Sequence, residues 1–467
     1  MRKTFSWPVV LLLASSSAQA TDPFNTRQWH TPQPQQMYFT DKLPVVPAPQ
    51  IQAQLDISQP VTLAQLTHYA LINSPATWEA WAAARADAAA IGLAQADLLP
   101  QIDALVNINH GRSVSNTGVL SQTQTRYGPS LSLTYILFDF GSRSAAVERA
   151  RFTALAASLT QNRVLQNTVL QVEQAYYQLL GLQELLRVNE ETREKNQIIV
   201  NAARDRLNAG VATVGEVYQA ETLLAQALVD QKRTLGEIAK LKGQLAVAAG
   251  LPVTTQLMLA PLVFNEGFAQ SLQGDVKELL TQATRSRADL VAAQARVHAA
   301  QAQVDFSKAE NLPRVELTGS VGQTFFVEDR PRADNFNIGL NFRFPIFNGF
   351  RNTYSLRQAR DKADQAQATR DKLFRQTELD VWQAYYDLET AANTITGATA
   401  LLKSARQSLE VANGRYLAGV GNILDLLTAQ AAATNAEVQL IQYRLDWYAA
   451  LSRLNFAIGL SHPVDPL

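Results

Sequence analysis

Gln174-Ala175-Tyr176-Tyr177 and Gln383-Ala384-Tyr385-Tyr386 are the same four residues written 209 positions apart. At that offset Phe138 meets Phe347, Ala150-Arg151 meets Ala359-Arg360, and Arg206 meets Arg415. Gly210-Val211 likewise meets Gly419-Val420, and Gly250-Leu251 meets Gly459-Leu460. One register therefore runs without a gap from Phe138 to Leu251. Upstream, Leu99-Pro100 matches Leu312-Pro313 at an offset of 213, which puts a four-residue length change in between. Self-similarity kept over such a length makes the chain one unit written twice, and internal repetition constrains a fold before any local signal is weighed.

Outward from these motifs, prolines mark where long helices fit. None occurs from Ser130 to Leu251 or from Ile346 to His462, and proline is what breaks a helix interior. Within the first blank Leu165, Val172, Leu179 and Leu186 recur every seven residues, and Phe374, Val381, Leu388 and Ile395 do so in the second. That spacing lays a narrow apolar seam along a helix, as coiled-coil packing requires. A single helix over 142–208 is on the order of 100 Å long at about 1.5 Å per residue, which no compact domain holds. The reading predicts long helices over 142–208, 214–249, 351–417 and 423–459.

Each half also carries two alternating stretches bounded by proline or glycine. Ile102, Ala104, Val106 and Ile108 alternate with mostly polar neighbours, as do Leu131, Leu133, Tyr135 and Leu137. Val315, Leu317 and Val321, then Phe336, Ile338, Leu340, Phe342 and Phe344, repeat the pattern. Period two with one apolar face predicts strands at about 101–110, 130–138, 314–325 and 335–344. The residues allow two placements: water-facing hairpins on a soluble core, or membrane strands. Segments of roughly ten residues with aromatics clustered near their ends fit the second. In lipid an open sheet edge leaves backbone groups unpaired, so a spanning sheet must close. Four strands cannot close alone, so several copies must contribute around a cyclic axis. About eight strands are filled by their own side chains, while twelve or more leave a lumen. These rules predict an oligomeric pore, polar side inward, without fixing the copy number.

Composition narrows the chemistry. The 467 residues hold 41 basic and 41 acidic side chains, no cysteine and five scattered histidines. Disulfide scaffolds, thiol nucleophiles and cysteine zinc sites are excluded, and balanced charge gives nucleic acid nothing to bind. Arg2 and Lys3, the apolar run Val9 to Ala14 and the small-x-small Ala18-Gln19-Ala20 read as a signal peptide over 1–20. Residues 21–60 carry seven prolines and read as an extended leader. The first repeat is expected at 61–251 and the second at 275–461, each opening with a helix. Residues 252–274 form a connecting equatorial segment, and 462–467 a tail. Asp139-Phe140-Gly141 spells a kinase magnesium motif but stands where a strand-to-helix turn is expected. Glu190-Glu191 and Asp361/Asp364 read as solvated helix charges, and Tyr176 and Tyr177 as packing between helices. No phosphate loop, Ser-His-Asp pattern or His-Glu-x-x-His helix is present, so neither an enzyme nor a cofactor is expected.

The duplication, the strand pair followed by long helices in each half, and the paired turns Arg206-x-x-Ala209-Gly210-Val211 and Arg415-x-x-Ala418-Gly419-Val420 resemble the outer membrane factors, the TolC-like outer membrane efflux proteins. The resemblance covers about 61–461. It implies a mainly α chain with membrane β: a homotrimer whose twelve-stranded outer-membrane barrel continues as a periplasmic α-helical barrel, docked to a periplasmic adaptor and an inner-membrane pump. Some members carry a lipid on an N-terminal cysteine, which this chain lacks. Locally, Gly210 and Gly419 can end a helix in the left-handed conformation. Thr213-x-x-Glu216 and Asn422-x-x-Asp425 read as caps with an acid at the third helical position. The resemblance makes these turns the periplasmic tip, with Gly210, Val211, Gly419 and Val420 as adaptor contacts. Asp425 matches the ring aspartate of the closed gate, Thr428 a position where some members have a second aspartate, and Tyr416 and Glu216 members of its hydrogen-bond network. Gly421 stands where the best-known member has a network arginine. The competing expectation is a soluble periplasmic coiled-coil adaptor without a barrel, which has no use for four apolar strand faces.

Overall fold

The computed structural model describes residues 59–112, 123–261, 275–327 and 332–460, all within the unit Ile51–Leu467. The signal peptide, nearly all of the leader, residues 262–274 and the tail lie outside the described residues. Each repeat has the same element order: two helices, two strands, a very long helix and a shorter one. The first comprises α1 (Leu63–Asn73), α2 (Pro75–Ala96), β1 (Gln101–Gly111), β2 (Gln124–Phe138), α3 (Ser142–Asn208) and α4 (Val214–Ala248). The second comprises α5 (Val276–Ser286), α6 (Ala288–Ala309), β3 (Arg314–Phe326), β4 (Ala333–Arg343), α7 (Arg351–Leu417) and α8 (Ile423–Ala457). α3 and α7 both have 67 residues, α4 and α8 both 35.

Two features differ from the sequence reading. The helix expected before each strand pair is broken in two, at Ser74 and at Arg287, both with extended backbone. In the first repeat the cause is local: Pro75 opens α2, and a residue before proline is driven out of the helical region. β2 also starts at Gln124 rather than 130, running straight through Pro129. Proline is tolerated there because Pro129 pairs with Val106 of β1, while its missing donor falls in a gap of the β2–β3 pairing between Tyr127 and Ser130. Gly128 sits in the same gap, and a Cβ on it would fall 1.8 Å from the Gln323 carbonyl oxygen.

The four strands form one antiparallel sheet in the order β1-β2-β3-β4. Register puts the apolar positions in rows across one face: Ala104, Leu131, Val321 and Phe336, then Ile102, Leu133, Gly319 and Ile338. The row between them, on the opposite face, is Asp103, Ser132, Ser320 and Asn337. Among the described residues nothing covers the apolar face, with Phe336, Ile338, Leu340 and Phe342 on β4 all exposed. Among the described residues the outer edges of β1 and β4 are unpaired.

Strand passes to long helix through two consecutive left-handed residues, Phe140 and Gly141 before α3, Gly349 and Phe350 before α7. Asp139 holds the first turn by accepting bonds from the Arg143 amide at 3.0 Å and its Nε at 2.8 Å, and these bonds hold its carboxyl low against the opposing pull of burial. The main core lies where α1, α3, α4, α7 and α8 meet, and contains the heptad residues Val172, Leu179, Val381, Leu388 and Ile395. Tyr176 sits in it, its hydroxyl donating to the Ala260 carbonyl at 3.1 Å beside the parallel bridge Val61–Leu259. Burial pushes that hydroxyl up to about 12. Where the repeats meet, Arg287 bridges Asp289 at 2.9 Å and Asp380 at 2.8 Å, and Arg163 reaches Asp289 at 3.4 Å. This cluster ties α3, α6 and α7 together.

Candidate functional site at the helix-turn tips

The two long helices end alike. Gly210 and Gly419 both have φ +76. Their amides donate to the carbonyls of Leu207 at 2.9 Å and Tyr416 at 3.1 Å, and the following valine amides to Arg206 at 3.0 Å and Arg415 at 3.1 Å. This is the left-handed helix stop that glycine alone adopts without strain. Val211 and Val420 then stand exposed at the apices, with open space beside both glycines.

The next helices start differently. Thr213 and Glu216 form a reciprocal capping box: the Glu216 amide donates to Oγ1 of Thr213 at 3.4 Å, and the Thr213 amide to Oε1 of Glu216 at 3.2 Å. Asn422 instead caps α8 through the Leu424 amide at 3.0 Å. Asp425 returns no bond to it, and among the described residues its carboxylate has neither hydrogen bond nor ion pair. The sequence reading paired both acids with their caps. The structure does so only for Glu216, because Asn422 reaches the second helical amide rather than the third.

Tyr416 and Glu216 do not meet through the tyrosine hydroxyl. Tyr416 is 2 % exposed, packed against Ile423, Leu426 and Leu427 of α8 and Val200 and Ala203 of α3. Its carbonyl accepts from Arg206 at 3.1 Å, and the guanidinium lies 4.8 Å from the ring centre. The buried hydroxyl has no hydrogen-bond partner among the described residues. Burial raises its pKa, Arg206 opposing and Glu216 reinforcing the effect. Arg206 is the functional-tip residue whose role sequence reading passed over. It was visible only as half of a repeated motif, and what it touches depends on how α7 returns beside α3.

Asp425 and Thr428 do come together, in a groove of about 650 Å³ between α7 and α8 that also includes Ser408, Arg415 and Gly421. Gly421 is pressed onto the end of α7: a Cβ there would lie 2.8 Å from the Tyr416 nitrogen and 2.9 Å from the Arg415 carbonyl carbon. This backbone therefore has no room for an arginine at that position. No group of histidine and carboxylate residues able to hold a metal exists among the described residues.

A family model described as outer membrane efflux protein matches residues 66–251 and 279–460, one match per repeat. Protein CyaE of Bordetella pertussis is 29% identical over 396 residues, covering 82% of this chain and 81% of its own. The pyoverdine export outer membrane protein OpmQ of Pseudomonas aeruginosa is 28% identical over 420 residues, covering 85% and 84%. Among solved structures, the outer membrane protein VceC of Vibrio cholerae superposes with a TM-score of 0.75 at 21% identity, covering 85% of this chain and 96% of that one.

Proposed function

The chain belongs to the outer membrane efflux protein family, and on that premise we propose that its two tip turns form the periplasmic gate and adaptor-docking end of the duct. The protein is a trimeric outer-membrane exit duct for tripartite efflux or type I secretion, working with a periplasmic adaptor and an inner-membrane pump. Three copies supply twelve strands, and each pairs its open β1 edge with a neighbour's β4 edge, as lipid demands. The observation that carries this reading is the register of the sheet, which gathers the apolar residues on one face and Asp103, Ser132, Ser320 and Asn337 on the other. The apolar face meets lipid and the polar face lines a watery lumen.

The duct is passive: the pump supplies the energy, and the chain needs neither cofactor nor catalytic group. At the tip, threefold symmetry brings three Asp425 carboxylates toward a common axis. Like charges so placed repel anions and attract cations. The free state of the Asp425 carboxylate supports this role, since Glu216 is engaged in its cap. Thr428 lines the same groove, while Tyr416 and Arg206 fix the end of α7 behind it. Gly210, Val211, Gly419 and Val420 present the apices to the adaptor.

Single-channel recording tests the gate. Asp425→Ala is expected to raise conductance several-fold and weaken block by divalent cations. Unchanged conductance and block would remove Asp425 from the constriction.

A further inference from the structure

The polar face of the sheet has a charge pattern of its own. Side chains alternate along a strand, so Arg314 and Glu316 of β3 and Asn341 and Arg343 of β4 share the face of Asp103, Ser132, Ser320 and Asn337. They lie at the end of the sheet from which α7 departs. Asn341 Nδ2 donates to Oγ1 of Thr318 at 3.2 Å along that face. Register sets Arg314 directly opposite Arg343. Positions paired in this way hold their Cβ atoms about 5 Å apart, and like charges there cost stability. Little offsets the cost. Both arginines are exposed, and Arg314 meets Glu316 only at 4.0 Å, where an exposed ion pair contributes little. Arg343 has no carboxylate partner among the described residues. Nearer the outer end the same face carries Arg126 and Asp103, while Asp334 alternates onto the opposite one. The described strands therefore turn Arg126, Arg314 and Arg343 to this face against only Asp103 and Glu316.

We propose that Arg314 and Arg343 form an anion-binding collar at the inner end of the barrel, which takes a carboxylate or phosphate group of an anionic solute on its way out. This rests on the trimeric duct of the preceding subsection, and it names a substrate class for that duct. Threefold symmetry repeats the arginine pair around the lumen. Guanidinium forks match the oxygens of carboxylates and phosphates two at a time, and two forks side by side make a cradle that one alone does not. A water-filled bore with low-dielectric walls concentrates their field. Conduction also needs a site that lets go. Glu316 supplies that property by competing with the solute for Arg314. A lipid headgroup offers the same phosphate, but alternation turns this pair to the face opposite Val315 and Phe342, away from lipid. The duct then carries opposite charge at its two ends, carboxylate at the tip and guanidinium in the barrel. An anion that has passed the open tip is drawn onward rather than back.

Pyrophosphate added to the barrel side of single channels in a planar bilayer reaches the collar without crossing the tip. It is expected to block current through the native protein. Arg314→Gln with Arg343→Gln keeps the face polar and should weaken that block about tenfold, the worth of a hydrogen bond to a charged group. The same pair should move the reversal potential in a potassium chloride gradient toward cations. Glu316→Gln should instead strengthen the block several-fold. Divalent cations added at the tip side read Asp425 and should act equally on all these variants, so a failed gate leaves the collar test intact. Native channels that pyrophosphate does not block overturn the proposal, as does a block unchanged by the paired glutamines. If the paired variant assembles poorly, Glu316→Gln carries the test alone, and a block no stronger than in the native channel counts against the collar. Anionic phospholipid that co-purifies with the native trimer and is lost from the paired variant, with pyrophosphate block unchanged, assigns the arginines to headgroups and overturns the lumen site. A detergent-extracted mass of one copy sinks the duct and the collar together.

Discussion

The two repeats have helices of identical length and helix stops of identical geometry, yet they spend their polar groups differently at the tip. In the first, Thr213 and Glu216 satisfy each other and Arg206 is committed to the Tyr416 carbonyl. In the second, Asn422 caps alone, leaving Asp425 free beside a groove that includes its own arginine, Arg415. The same divergence recurs higher up, where buried Glu173 in one repeat is exposed Trp382 in the other. Duplication supplied the scaffold twice. One copy's tip is locked within the chain, and the other's faces outward with a charge to use.

The largest expected effect probes what the tips share. Gly419→Lys and Gly210→Lys put a bulky cation at each apex, where glycine sits at φ +76 with open space around it. Each should abolish export while native mass still reports trimers; loss of trimers would reduce these glycines to turn formers. The next effect separates the tips. Asp425→Ala should change conductance several-fold, whereas Glu216→Ala should leave it nearly unchanged and cost about 1 kcal/mol of cap stability, read by thermal melting. Equal conductance changes in the two variants would erase the distinction. Smaller again is Gly421→Arg. A side chain at this place meets backbone at 2.8 Å. It should destabilise the tip by about 1–3 kcal/mol and loosen closure rather than strengthen it. A tighter, less conductive channel would refute that steric account.

The smallest effect concerns Glu173. Burial raises its pKa, with the Ser452 bond opposing. The folded state thus holds this proton more tightly than the unfolded chain, so the contribution is fully present below the ordinary carboxyl pKa and is lost as pH rises through the folded one. Glu173→Gln should therefore raise the apparent Tm at pH 7. The gain should fade below about pH 4. A pH-independent difference would mean that packing rather than titration decides it.

Much of this fold was legible because its signals are periodic. The 209-residue register, the proline-free blanks and the seven-residue spacing of Val172, Leu179, Val381 and Leu388 are properties of one chain read end to end, and all four of those residues are buried in the main core. The strand alternation was equally plain, but the start of β2 was not. Pro129 looks like a boundary until β3 is seen to leave its nitrogen unpaired. At the tips the caps were readable from residue type, since a side chain reaching two or three residues ahead is a local event. Which amide Asn422 reaches, and hence whether Asp425 is free, depends on a difference of one residue in reach that residue type does not encode.

By itself, then, the sequence determined the duplication, the long helices, the four apolar-faced strands and their need to close with other copies, because periodicity and hydrogen-bond satisfaction act along the chain. The tertiary structure decided which groups face one another across it: Arg206 on the Tyr416 carbonyl and Leu445 over Gly181. Those pairings depend on how helices more than 200 residues apart return to each other's side. Packing at close range selects among them by fractions of an ångström, which no spacing in a single strand of letters records.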